Sequence, residues 1–226
     1  RKVPPMFRPF PALLLCAPGV AAAQSTVAIW PTNPIIAPGG QATAIWLENK
    51  GTRPVTLQIR SFGWSQRNGE DAMERQDELI SSPPLAEVGP GKRQLVRLIR
   101  RSRADADADA GGERAFRLLI DELPEPVEPG DGARVATSLS VRMRYSIPLF
   151  AGAPKSAAPR LSMRRTVMDG RPAVEIRNDG DAHARLTDLR VSEAERPLIP
   201  GLMGYVLPGA TVRWALPDAA EGSLVV

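Results

Sequence analysis

Residues 134–145, RVATSLSVRMRY, limit what this chain can become more than any other segment. Val135, Leu139, Val141, Met143 and Tyr145, with Thr137 among them, occupy the odd positions. Ala136, Ser138, Ser140, Arg142 and Arg144 occupy the even ones. Side chains of an extended chain point to opposite sides in turn, so period-two alternation over a dozen residues predicts a long strand with one apolar and one polar face. Two fates are open to it. The apolar row can enter its own domain's core, the commoner outcome for a two-faced strand. At a sheet edge, the row and the unpaired backbone groups can instead be offered to another chain.

The surrounding sequence has the same character. It holds 23 Pro and 19 Gly in 226 residues and no long helical periodicity, which predicts an all-β sandwich class. Residues 25–30, 42–48, 55–64, 80–98 (broken by Pro83-Pro84 and Pro90-Gly91) and 116–120 read as further strands. Asn68-Gly69 is a hairpin signal, and the charged residues 70–78 read as a loop or a short edge segment. Residues 100–113 are a polar spacer and 125–133 a loop. About seven strands within residues 24–150 fit an immunoglobulin-like sandwich. Residues 151–159, AGAPKSAAP, are small and Pro-rich and read as a linker. Strand candidates at 160–166, 173–177, 184–191 and 211–216 predict a second all-β domain over 160–226. The pattern stops in mid-strand at Leu224-Val225-Val226, consistent with a missing final strand.

The first 23 residues read as a signal peptide. Arg1, Lys2 and Arg8 carry positive charge, residues 10–20 are a short apolar run, and Ala21-Ala22-Ala23 is a small-residue cleavage site before Gln24. Export is the expectation, with no membrane insertion of the mature chain, because that run is too short to span a bilayer and no longer one follows. The lone cysteine, Cys16, lies inside this segment, so the mature chain carries no disulfide and no thiolate chemistry.

No catalytic or metal constellation stands out in the sequence. His183 is the only histidine, which removes Ser-His-Asp and Cys-His arrangements and any histidine cluster for zinc. Its expected role is structural or at the surface. Asp105, Asp107 and Asp109 superficially resemble a calcium loop, but Ala110 and Phe116 stand where such a loop needs Gly and Glu. No metal, cofactor or enzymatic activity is expected. The net charge of +4 is scattered without interleaved aromatics, which argues against nucleic acid as a partner.

Several segments, in order, resemble the periplasmic pilus-assembly chaperone family. They are Ser82-Pro83-Pro84 with Pro90-Gly91 and residues 94–98 (QLVRL); residues 116–124 (FRLLIDELP); residues 140–150; and, for the archaic, spore-coat-U-associated branch, Asn178-Asp179-Gly180 with residues 204–209 (GYVLPG). The resemblance implies two immunoglobulin-like domains in a boomerang. It implies periplasmic capture of pilin or fimbrial subunits that lack a strand, and delivery to an outer-membrane usher. Leu139, Val141 and Met143 then fall at the donor side chains, with Val135 and Thr137 extending the row. The family's cleft arginine and lysine, which anchor a subunit's terminal carboxylate, fall at Asn33 and near Pro148. Neither is basic, and Arg142 or Arg144 is the candidate substitute. Arg97 and Glu113 fall at charged positions that pack within or between domains. The alternative function is a secreted β-sandwich that binds carbohydrate or matrix, which predicts aromatics clustered on loops.

Overall fold

The computed structural model describes residues 27–101, 112–124, 142–192, 194, 196–217 and 222–226, and these contain strands and no helix. Two sheets make the first sandwich. One is ordered β1 (Val27–Trp30), β3 (Ala42–Asn49), β8 (Arg93–Arg100), β6 (Leu79–Ser82). The other is ordered β2 (Ile35–Ile36), β10 (Arg144–Ala151), β9 (Arg114–Glu122), β4 (Val55–Arg67), β5 (Glu70–Glu74), with β7 (Leu85–Val88) on the first part of β4. Alternate residues of each strand meet between the sheets. Ile45 and Leu47, Val96 and Leu98, and Leu57 and Ile59 are buried against Leu118, Ile120 and Leu149. Their apolar area leaves water, which is the main favourable term in holding the layers together.

Local turn chemistry sets the register. Asn68 and Gly69 both adopt positive φ, 56° and 85°, as a two-residue turn between twisted strands requires. That turn carries residues 70–74 straight back along Gly63–Arg67 of β4, so the charged segment is an edge strand. Ser82–Pro83 is a cis peptide between β6 and β7, where the chain crosses from one sheet to the other.

Of the residues expected to form the long strand, the described ones enter β10 at Arg144, and β10 continues past Pro148 to Ala151, beyond the alternating segment 134–145. Its odd residues face β9: Met143 O accepts from Glu122 N at 3.1 Å. Its even residues face the other way: Phe150 N donates to Pro34 O. Pro148, an even residue, therefore removes no bond from the β9 ladder and sits where a strand tolerates proline.

In the second sandwich β11 (Leu161–Met168), β12 (Arg171–Asn178) and β15 (Thr211–Ala215) face β14 (Ile199–Val206), β13 (Ala184–Val191) and β16 (Leu224–Val225). Asp169-Gly170 forms the β11–β12 hairpin with φ of 52° and 74°. β14 had no counterpart among the sequence-based strands. Pro200, Gly201 and Gly204 interrupt its alternation, and its pairing with β13 carries two register shifts. The segment before β11 is tied to this sandwich: Ala158 N donates to Asp181 Oδ1 at 2.9 Å and Arg160 N to Asn178 Oδ1 at 3.0 Å. Gly180 permits the approach, since a Cβ there would lie 2.2 Å from the Ala158 carbonyl oxygen.

The sandwiches meet through a shared apolar cluster in which Trp64 of β4 and Phe150 of β10 pack with Val206, Leu207 and Leu186. The Phe150 ring lies flat against His183, centroids 3.4 Å apart and planes within 5°. Glu113 lies beside them, its side chain 4% exposed, and accepts from the His183 backbone N–H at 2.6 Å while its oxygens lie 2.8 and 2.9 Å from Nδ1. Glu113, one of the two charges the family resemblance places within or between domains, lies at the contact between the sandwiches and pairs with His183. Arg97 sits exposed on β8, opposite Ala44 of β3 and Ser82 of β6 in its own sheet, not the sheet of β9 that Glu113 leads into.

Candidate functional site

β10 is nearly an edge strand. β9 pairs with all of it, but β2 reaches only Phe150 and Ala151. Among the described residues, no strand lies opposite the outward backbone groups of Arg144 and Ser146 or the carbonyl of Pro148. This free edge opens into a cleft of about 670 Å³ between the sandwiches. Val27 and Ile29 of β1 and Tyr145 and Ile147 of β10 form one wall, and Leu202 and Tyr205 of β14 the other. Leu202 is 53% exposed.

Three arginines line the cleft: Arg144 from β10, Arg117 from β9 and Arg185 from β13. Arg117 stands directly opposite Pro148 in the β9–β10 register, so both side chains lie on one face of the sheet. Its guanidinium carbon lies 3.7 Å from the Trp64 ring centroid and 5.9 Å from that of Tyr205. Only 14% of the side chain is exposed, and its carboxylate partner, Asp71, is 3.4 Å away. Burial pulls its pKa below the ordinary arginine value, and the Asp71 charge works against that shift. A largely buried cation held by one long bond to Asp71 keeps further N–H groups with which it can receive an anion. Arg144 is more exposed and bonds to Asp121, which also accepts from Arg60 at 2.7 Å. Burial raises the Asp121 pKa, but the hydrogen bonds from Arg144 and Arg60 prevail and hold it below its usual 3.8.

The sequence-derived residues fall as follows. Asn33 is exposed and lines the cleft, as does Pro148. Arg144 lines it too, while Arg142 is exposed and is not among the lining residues. Met143 is 37% exposed just before β10 begins. Val135, Thr137, Leu139 and Val141 lie outside the described residues, as do Asp105, Asp107 and Asp109. Arg117 and Arg185 were not anticipated. Arg117 had a signal, as the one charge inside the apolar run FRLLI; Arg185 had none, because its place depends on how the two sandwiches meet.

Residues 26–157 match the model of the pili and flagellar-assembly chaperones, PapD N-terminal domain. This chain belongs to the pilus-assembly chaperone family. It is 28% identical over 181 residues to the chaperone protein FimB/FhaD of Bordetella pertussis, covering 76% of this chain and 70% of that protein. It is also similar to a chain in the pre-assembly complex of CsuC with the tip adhesion subunit CsuE, from the archaic chaperone-usher Csu pili of Acinetobacter baumannii. That match has 31% identity and a TM-score of 0.69, and covers 88% of this chain and 91% of that one. The complex of the SafA pilin with the SafB chaperone from Salmonella enterica shares the fold, at 16% identity and a TM-score of 0.60, covering 88% and 86% of the two chains. Members of this family act as chaperones in the periplasm.

Proposed function

We propose that this chain captures pilin subunits by lending them the strand that continues β10 upstream, residues 135–143, and passes them to an outer-membrane usher. The observation that carries this reading is the free edge of β10. Its outward N–H and C=O groups at Arg144 and Ser146 can pair with a subunit strand. The alternation of the sequence gives Val135, Thr137, Leu139, Val141 and Met143 one common face. Burial of each large apolar side chain in a subunit groove contributes roughly 1.5–3 kcal/mol before ordering costs. A one-residue slip would send Ser138, Ser140 and Arg142 into the groove instead, so the same side chains also fix register.

The cleft arginines extend the reading. Arg117, with Arg144 and Arg185 around it, receives the subunit's terminal carboxylate, where sequence had pointed to Arg142 or Arg144 alone. Asn33 lies at the cleft as a neutral hydrogen-bonding neighbour. Residues 1–23 direct export to the periplasm and are removed. Residues 24–150 and 160–226 act as the two domains, and the chain works by binding, without catalysis or cofactor.

The alternative reading, a carbohydrate- or matrix-binding sandwich, loses support because Trp30, Trp46, Trp64 and Trp214 all lie within strands and not on loops. Val141→Arg tests the proposal. The variant folds as the parent does but no longer brings a small β-rich subunit with it from the periplasm. Recovery of that subunit at the parent's yield contradicts the donor-strand reading.

A further inference from the structure

Gln66, near the end of β4, reaches across from the first sandwich to the second. Its Nε2 donates to the Tyr205 carbonyl at 2.9 Å, and its Oε1 accepts from the Leu207 N–H at 2.9 Å. The side-chain amide thus stands in for a strand neighbour, bonding two residues of one backbone as another peptide would. A third bond locks its orientation: Nε2 also donates to Asp71 Oδ1 at 3.0 Å on β5, the residue opposite Gln66 in the hairpin. With two acceptors at the nitrogen and one donor at the oxygen, the flipped amide would lose all three bonds. Asp71 turns its other oxygen toward Arg117, 3.4 Å away. One network therefore runs from the second sandwich through Gln66 and Asp71 to the cleft arginine. Tyr205, whose carbonyl Gln66 holds, also contributes a ring that packs edge-on to Trp64, centroids 5.9 Å apart, and lines the cleft.

We propose that Gln66 is a positioning residue of the cleft, helping to fix the second sandwich at the separation and angle at which Arg185, Leu202 and Tyr205 close around Arg117. The inference rests on the cleft being the anion-receiving site. Gln66 touches no subunit; it acts through Tyr205 and Asp71. The apolar contacts of Trp64 and Phe150 hold the sandwiches together without choosing one angle, since apolar attraction is non-directional. Two directed bonds from one amide to the second sandwich, its orientation locked by the third to Asp71, act with the Glu113–His183 contact to choose it.

The test uses the full chain with Cys16→Ser and spin labels on Leu85→Cys of β7 and Val167→Cys of β11, both exposed positions on different sandwiches. The parent gives one narrow inter-label distance distribution. Gln66→Ala, and Gln66→Met, which keeps the length of the side chain without its hydrogen bonds, widen it at least twofold. In a second measurement acetate is the probe. It shifts the Arg117 Nε–H resonance in the parent, and about tenfold more acetate is needed in either variant, the worth of roughly one net hydrogen bond. An unchanged distance distribution in both variants overturns the positioning role. Failure of acetate to perturb Arg117 in the parent contradicts the cleft reading instead, and the distance measurement then judges Gln66 alone.

Discussion

Glu113→Ala removes the polar centre of the contact between the sandwiches, and its cost can be worked from the geometry. Two components are lost. The His183 backbone N–H gives up a 2.6 Å bond to a carboxylate, and the Nδ1 contact at 2.8 Å disappears. A hydrogen bond to a charged group is worth about 1.5–3 kcal/mol and a neutral one about 0.5–1.5. The His183 side chain is 20% exposed, so water replaces part of the second component and little of the first. The expected loss is about 2–4 kcal/mol, read as a lower urea midpoint and a melting temperature lower by roughly 2–4 °C per kcal/mol for a chain of this size. His183→Ala separates the components, because it keeps the backbone N–H. In that background Glu113→Ala still forfeits the backbone bond, and the two substitutions couple by about 0.5–1.5 kcal/mol, the side-chain share alone. A loss below about 0.5 kcal/mol for Glu113→Ala, within the range of ordinary surface changes, refutes the assignment of this pair as the polar tie between the sandwiches.

Two further outcomes follow from the cleft. Arg117→Ala removes a charge-assisted contact of about 1.5–3 kcal/mol, so subunit affinity falls roughly 10- to 150-fold; titration calorimetry with the subunit recovered on the parent chain measures it, and unchanged affinity contradicts the role. Asp121 has a folded pKa below its unfolded 3.8, so its bonds to Arg144 and Arg60 stabilise fully above that value and are lost as pH falls through the lower, folded one. Hydrogen exchange corrected for intrinsic rate speeds up at Tyr145 and Ile147, whose N–H groups face β9, as pH falls through that lower value in the parent; Asp121→Asn shows the faster exchange already at neutral pH.

Period-two alternation and turn chemistry carry the strands that are legible in this chain. Asn68-Gly69 and Asp169-Gly170 announce hairpins because the positive φ they adopt is a property of those residues themselves. Where backbone irregularity enters, legibility fails: β14 was missed because Gly201 and Gly204 adopt positive φ and its partner strand shifts register twice. The Glu113–His183 contact was not legible for another reason. Glu113 and His183 are 70 residues apart and meet only once the sandwiches are joined, so neither local pattern carries the information. The cleft was half legible. Asn33 and Pro148 were placed by likeness to a family, and the structure puts both at its lining. A buried cation of the cleft, however, sits one strand over, at Arg117, where the cross-strand register reveals it.

Site-specific photocrosslinking along residues 135–143 tests the donor strand most directly. A benzoylphenylalanine placed in turn at Leu139, Ser140, Val141, Arg142 and Met143 samples both faces. Lending of the strand predicts strong crosslinks to the bound pilin from Leu139, Val141 and Met143 and weak ones from Ser140 and Arg142. Equal crosslinking from both faces, or products confined to the chain itself, contradicts it.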